Sequence, residues 1–478
     1  MYADLKMLLD GEWSEGTGDR RVAVLNPANE QSLGDLPLAE RDDLDRALAA
    51  MRAAQPKWAA TAPGARARIL RAAAEIMRAR ADEIAHQMTL EEGKILAEAK
   101  AETIAGIEIL NWYAEEGRRA YGRIVQGANP NVRQMVLKQP VGPVAAFTPW
   151  NFPVVTPARK IGGALAAGCT LLIKPSEETP AGALAIARAL QEAGLPRGVL
   201  NVVFGVPAEI SEYVIASDTI RKISFTGSIP VGKHLARLAA AGMKRATMEL
   251  GGHGPVIVFD DVDAEKAAAL SVAGKYRNAG QVCVSPTRFF VHDGIYRRFL
   301  ETFTERAAAL KVGDGLDQTS QMGPLANDRR MEAIDALVRD AVERGAELKT
   351  GGARIGNRGY FYAPTVLAEV PEDARIMNEE PFGPVAPIVR FKEFDEVVER
   401  ANRLPFGLAG YAFTNSVETA TRIGNALETG LVGINHFTIS TPETPFGGMK
   451  ESGYGSEGGL EGLDAYLATR FVTQAPAP

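Results

Sequence analysis

Three residues far apart in the chain carry side chains that could serve one reaction. Cys283 ends the run Tyr276-Arg277-Asn278-Ala279-Gly280-Gln281-Val282-Cys283, a largely polar, glycine-containing turn that delivers the thiol into a loop ahead of the next apolar stretch. A lone cysteine in a large protein is more often a small buried hydrophobe. Its companions argue otherwise. Glu249 lies in Met248-Glu249-Leu250-Gly251-Gly252, a carboxylate at the end of an apolar strand followed by two glycines that let backbone approach a ligand. Asn151 lies in Thr148-Pro149-Trp150-Asn151-Phe152-Pro153, where two prolines and an aromatic ring can fix its amide at the mouth of a sheet. Taken singly, that Glu is an exposed strand end and that Asn a turn residue. Together they supply a soft nucleophile, a base for water and an amide donor for a developing oxyanion, the set that oxidation of an aldehyde to an acid requires.

Such residues need a scaffold, and the hydrophobic pattern outlines one. Helical periodicity over residues 40–52, 64–80 and 81–116 predicts a group of helices, with the arginines from Arg66 to Arg71 on a solvated face. From residue 139 the pattern changes to short apolar runs at 142–147, 170–173, 198–204, 221–225 and 246–250, with helical stretches between them. Fully apolar strands alternating with helices imply a parallel sheet covered on both faces, which binds ligands at its carboxyl edge. A second alternating block, with runs at 255–259 and 288–292 and helical stretches at 296–310 and 331–344, predicts another α/β domain. Residues 123–138 alternate like paired strands, and 465–473 like one more, both free to pair outside the main domains, including with another subunit.

Composition bounds the rest. At 478 residues, 46% apolar and 23% charged, the chain is an ordinary large soluble enzyme of two or more domains. A net charge of −6 argues against a nucleic-acid partner. The weakly polar stretch 161–173 contains three glycines and is too short to span a bilayer, so no membrane association is expected. Residues 1–11 lack the features of a secretory signal, which suggests a cytoplasmic protein. Two cysteines, Cys169 and Cys283, exclude a disulfide scaffold, and five scattered histidines show no zinc spacing, so no metal is expected.

Seven motifs in order make the sequence similar, over essentially its whole length, to the NAD(P)-dependent aldehyde dehydrogenase superfamily: Pro149-Trp150-Asn151-Phe152-Pro153, Lys174-Pro175-Ser176-Glu177, Phe225-Thr226-Gly227-Ser228, Glu249-Leu250-Gly251-Gly252, Gly280-Gln281-Val282-Cys283, Glu380-Pro381-Phe382-Gly383-Pro384 and Pro445-Phe446-Gly447-Gly448. The resemblance implies two doubly wound parallel-sheet domains. Residues 1–122 with 142–251 would form a Rossmann-like cofactor domain and 252–460 a catalytic domain, while 123–141 and 461–478 would be oligomerisation strands of a homodimer or homotetramer. It implies that Cys283 attacks the aldehyde, that Asn151 and the Cys283 N–H hold the oxyanion, and that Glu249 deprotonates the water that hydrolyses the thioester. Lys160 and Glu457 match positions that relay the proton.

For the cofactor, the resemblance places Lys174 and Glu177 beside the adenosine ribose, Gly227 and Ser228 at the pyrophosphate, and Glu380 and Phe382 at the nicotinamide, with Trp150 and Gly205 also in this site. A carboxylate at Glu177 can accept a ribose 2′-hydroxyl and should repel a 2′-phosphate, which favours NAD while leaving NADP open. For the substrate, the resemblance narrows to the succinate-semialdehyde dehydrogenase branch and its neighbour acting on 2-oxoglutarate semialdehyde. Arg159, Arg277 and Ser440, with Thr441 as the alternative hydroxyl, match the groups that hold the substrate's distant carboxylate. Two guanidinium groups converging on a closed pocket make an anion site on physical grounds alone.

Relatives with a second cysteine two residues after the nucleophile can form a disulfide there. Ser285 occupies that place, so no such switch is expected. Readings of another kind are a non-catalytic relative, which retention of Cys283, Glu249 and Asn151 argues against; a cysteine hydrolase, which would need a nearby His; and a CoA-acylating relative, which would lack the Glu249-type base.

Overall fold

The apolar runs Val144–Phe147, Leu171–Lys174, Leu200–Val202, Lys222–Gly227 and Arg245–Leu250 are buried over nearly their whole length, a pattern stable only where both sheet faces are covered. The computed structural model, which describes residues 2–477, joins them as five parallel strands at the centre of an eight-stranded sheet. Its edges are antiparallel: Met7–Leu9 and Glu12–Ser14 extend one side and Gly453–Tyr454 the other. These strands of two or three residues are too short to carry a readable alternation.

The second sheet has the order Glu347–Thr350, Thr365–Ala368, Val385–Phe391, Pro286–His292, Gly254–Val258, Ala409–Phe413, Leu431–Ile434, parallel throughout except for its first strand. The fold is therefore α/β with two doubly wound, mainly parallel sheets. Each has its own hydrophobic core, one built chiefly from residues up to Leu250, the other from Val256 to Phe446.

Helix boundaries follow local chemistry. Proline opens Pro180–Glu192, and Pro230 lies in the first turn of Ile229–Ala241, where a missing N–H is harmless. Gly168, in the left-handed conformation, ends Val155–Ala167. The N-terminal helices are Arg41–Ala60, Pro63–Ala79, Ala81–Glu92 and Leu96–Glu116, so the single helix expected over 81–116 is two. The break is at Gly93, which has φ +95° and no room for a side chain between Pro27 and Pro324. Arg66 also departs from expectation. It is buried, donating from Nε to the carbonyl of Ala166 at 3.0 Å, and so satisfies the C-terminal end of Val155–Ala167 instead of facing solvent. No helix among the described residues is long and apolar enough to cross a membrane.

Arg123–Val125, Arg133–Pro140 and Leu467–Gln474 form a separate three-stranded antiparallel sheet, in register from Leu467 opposite Pro140 to Gln474 opposite Arg133. The C-terminal strand thus finds its partner within its own chain, leaving Ile124 and Phe471 exposed.

The helix Val155–Ala167 presents Gly162 and Gly163 to the buried rings of Tyr113 and Tyr466. A Cβ on Gly163 would lie 2.6 Å from Tyr466 Cε2. Gly163→Val should therefore lower the unfolding free energy by about 1–3 kcal/mol, the usual penalty for overpacking. A denaturant midpoint equal to that of the unaltered protein would refute this close-packing account.

Candidate active site

The nucleophile loop begins where the helix Ala264–Tyr276 stops. Arg277–Gly280 forms one tight turn in which Asn278 (φ 49°), Ala279 (φ 51°) and Gly280 (φ 73°) all lie in the left-handed region. Asn and Gly tolerate this conformation, whereas Ala there is strained. Gly280 sits against the carbonyl of Gly383, so any side chain would push the two loops apart. The turn is fastened by Asn278 N to Glu98 Oε2 at 3.0 Å, Asn278 Nδ2 to the Asn151 carbonyl at 3.1 Å, and Asn151 Nδ2 to the Gln281 carbonyl at 3.0 Å. Cys283 follows, half-buried, before the strand Pro286–His292.

Glu249 ends the strand Arg245–Leu250 and is buried, with Oε1 lacking any protein partner. Two cavities meet at this point. One, of about 210 Å³, is lined by Phe152, Arg159, Arg277, Val282, Phe446 and Glu457, together with Cys283 and Glu249. The other, of about 220 Å³, is lined by Trp150, Asn151, Gly251, Glu380 and Phe382 and shares Phe152, Cys283 and Glu249 with the first. It continues past Thr226, Gly227 and Ser228 into an outer cleft of about 800 Å³ that reaches Lys174 and Glu177. The thiol and the carboxylate therefore face both a small inner chamber and a long channel.

Burial sets the charges. It raises Glu249 to about 8, with the Glu457 carboxylate adding to the shift. It also pushes the Cys283 thiol up, reinforced by Glu249 and Glu380 and opposed by Arg277. Glu380 rises to about 7, again through burial, and its carboxylate accepts from Gly252 N at 3.1 Å. Glu457 is ion-paired with Lys160, and Ser224 Oγ donates to Glu457 at 3.2 Å and accepts from Lys160 at 3.1 Å.

The outer channel has the fittings of a nucleotide site. Ser228 precedes the helix Ile229–Ala241, whose N-terminus faces the cleft, and the Thr148 and Thr226 hydroxyls lining it are buried without a protein partner. Trp150 and Phe382 meet edge to face at 5.5 Å. Lys174 pairs with Glu177 at 2.6 Å, and the same carboxylate accepts from Gly205 N at 2.9 Å. Every residue expected for the cofactor thus lies along this channel or, like Gly205, directly behind it.

The expected substrate residues sit at different depths. Arg159 is buried, gives Nη2 to Ser440 Oγ at 2.9 Å, stacks over Phe446 at 4.8 Å, and leaves Nη1 unpartnered. Arg277 is exposed at the chamber's rim, 5.7 Å from the Phe152 ring, and Ser440 is exposed as well. Both guanidinium groups line the same cavity, Arg159 at its buried wall and Arg277 at its rim, where it is the one exposed side chain of an otherwise buried turn. Cys169 is fully buried and raised to about 11, an inert core thiol.

Sequence reasoning missed Lys94, Glu98 and Glu102, which line the inner chamber from the helix Leu96–Glu116 and the break before it, and Lys275, fully buried behind the nucleophile turn. A Gly-Lys at a helix break and acids within a helical repeat look like ordinary surface positions.

The molecule is thus an α/β protein that places a thiol and a carboxylate at the junction of two cavities, one of which runs out past a helix N-terminus. The comparison with known proteins is more specific. The aldehyde dehydrogenase family pattern matches residues 13–472, and the chain belongs to that family, whose members use NAD(P). It is 47% identical to the 4-(hydroxymethyl)benzenesulfonate dehydrogenase of Comamonas testosteroni, covering 99% of this chain and 98% of that one. It is 42% identical to the NADP(+) succinate-semialdehyde dehydrogenase of Escherichia coli K12, over 97% and 96%. The crystal structure of succinate-semialdehyde dehydrogenase from Burkholderia pseudomallei superposes with a TM-score of 0.97 at 41% identity, over 99% and 98%.

Glu249 can take a proton only as the carboxylate, so a step that needs it should accelerate as pH rises through about 8 and level off above. Glu249→Gln should abolish that limb in the pH profile of thioester hydrolysis. Its persistence in the variant would assign the base elsewhere.

Proposed function

We propose that this aldehyde dehydrogenase oxidises a small aldehyde bearing an anionic far end, with succinate semialdehyde as the leading substrate. The observation that carries this is Arg159, a buried cation at the wall of the chamber with its Nη1 amino group left without a partner. A neutral aldehyde would leave that charge uncompensated. In this reading the Cys283 thiolate adds to the carbonyl carbon, and the oxyanion is held by the Asn151 amide and the Cys283 N–H. The nicotinamide cofactor, when bound, supplies the hydride acceptor. Glu249 then takes a proton from water, whose attack on the Cys283 thioester releases the acid and the thiolate, and Lys160 with Glu457 carries the proton away.

The first sheet and its helices would be the cofactor domain, with Lys174, Glu177 and Gly205 at the adenosine ribose, Gly227 and Ser228 at the pyrophosphate, and Trp150, Glu380 and Phe382 around the nicotinamide ribose and ring. The second sheet would be the catalytic domain, and the three-stranded sheet with exposed Ile124 and Phe471 a contact between subunits.

Arg159→Leu should reduce kcat/KM for succinate semialdehyde by about 10- to 100-fold, the worth of a charge-assisted contact, with little change for an uncharged aliphatic aldehyde. Arg277→Leu, at the rim, should do less. Unchanged discrimination in the Arg159 variant would sink the assignment. The longer 2-oxoglutarate semialdehyde belongs in the same assay. So does an aromatic aldehyde carrying a sulfonate, because Phe152 and Phe446 flank the chamber and a 47%-identical relative is named for a benzenesulfonate substrate. A higher specificity constant for the sulfonate would replace the leading substrate while keeping the anion site.

For the cofactor, Glu177 supports NAD. A 2′-phosphate would have to displace the carboxylate from Lys174 and Gly205 N. NAD should be preferred by about tenfold or more, equivalent to about 1.4 kcal/mol. Parallel measurements with both cofactors decide it, and a better specificity constant with NADP would overturn it.

A further inference from the structure

Lys94 follows directly on the left-handed turn at Gly93, and its ammonium group is buried under the loop that carries Asn151. Its Nζ lies 2.5 Å from Glu102 Oε2, donates to the Asn151 carbonyl at 2.8 Å, and stands 4.3 Å from the centre of the Phe152 ring. Glu102 uses its other oxygen to accept from Val154 N at 2.9 Å and Val155 N at 3.2 Å, the N-terminus of the helix that bears Arg159 and Lys160. On the same helix as Glu102, Glu98 accepts from Asn278 N at 3.0 Å in the nucleophile turn.

One nine-residue segment, Lys94 to Glu102, therefore grips three separate parts of the site. The grip is rigid for electrostatic reasons: both partners of the Lys94–Glu102 pair are buried, where an ion pair persists only if each charge is fully hydrogen-bonded. The Asn151 carbonyl, the Val154 and Val155 N–H groups and the buried Glu92 carboxylate, 3.9 Å from the same ammonium group, complete it. Moving the Asn151 loop would strip an acceptor from a buried ammonium group.

We propose that Lys94 and Glu102 are positioning residues that lock Asn151, through its backbone carbonyl, at the place where its side-chain amide meets the oxyanion formed on Cys283. The proposal rests on the assignment of Asn151 as oxyanion donor and is independent of which aldehyde is oxidised. Its physical content is pre-organisation. Misplacing a donor by about 1 Å can lower the rate by about 100-fold without altering the donor itself.

The test compares Lys94→Met, Lys94→Arg, Asn151→Ala and the double variant Lys94→Met/Asn151→Ala, using NAD and succinate semialdehyde or whichever aldehyde turns over best. Because Lys94→Met leaves Glu102 charged without its cation, the charge-neutral pair Lys94→Met/Glu102→Gln is made alongside, with melting temperature and NAD affinity measured for each. The expected result is a kcat for Lys94→Met about 10- to 100-fold down with NAD affinity unchanged, partial recovery in Lys94→Arg, and no further loss when Lys94→Met is added to Asn151→Ala. Turnover in Lys94→Met and in the neutral pair within about twofold of the unaltered enzyme, with Asn151→Ala impaired, would overturn the clamp and leave the mechanism standing. So would losses that multiply in the double variant. An unimpaired Asn151→Ala would overturn the Asn151 assignment and the clamp together.

Discussion

The left-handed turn Asn278-Ala279-Gly280 is the constraint on which the site depends, because it reverses the chain between a helix of the second unit and the strand that follows, and so sets Cys283 at the junction of two cavities. A non-glycine residue held in this region costs about 1–3 kcal/mol and persists only where the surroundings over-determine it. Here they do. Asn278 is bonded through both its backbone and its amide, and Gln281 is fully buried, donating from Nε2 to the Asn278 carbonyl at 3.2 Å and accepting from Ala326 N at 2.9 Å. The polar character of this segment, which makes it look like a surface loop, is what lets it be buried.

The same burial creates the electrostatic problem that the site has to solve. Glu249, Glu380 and the thiol of Cys283 are crowded where water is scarce, and each is pushed toward its protonated form. Glu457 adds to that pressure on Glu249, but its own charge is matched by Lys160. The result is a division between the two: Glu457 faces the Lys160 cation, and Glu249 is raised by burial close to the pH at which it can exchange a proton with water. Two identical side chains acquire different roles from their neighbours alone.

Much of this was legible in the residues. The apolar runs located all five central strands of the first sheet because a strand covered on both faces has no freedom to be polar. Cys283, Glu249 and Asn151 could be picked out because each departs from the apolar pattern at the end of a run or in a proline-fixed turn, and the motif order of the family then pointed to residues that line or adjoin the outer channel. What stayed hidden depends on contacts distant in sequence. The break at Gly93 is imposed by Pro27 and Pro324, and Arg66 is drawn inward by the carbonyl of Ala166. The antiparallel edges are too short to read, and nothing in the sequence distinguishes Arg159 in the interior from Arg277 at the rim.

That difference in depth bears on selectivity. An exposed guanidinium group is satisfied by water and contributes little discrimination between partners. A buried one is held at an energetic disadvantage until every donor is met. Arg159 has Ser440 on one side and the Phe446 ring beneath it, and its Nη1, close against Gly458, is buried without a partner. Its cation also favours the ionised form of Glu249. Under the proposed function, the group that completes Arg159 is an anion small enough to reach the chamber wall while the carbonyl carbon stays at Cys283. Specificity of this kind comes from leaving one strong donor incomplete, since a ligand lacking the anion forfeits the contact and leaves the charge buried and unpaired.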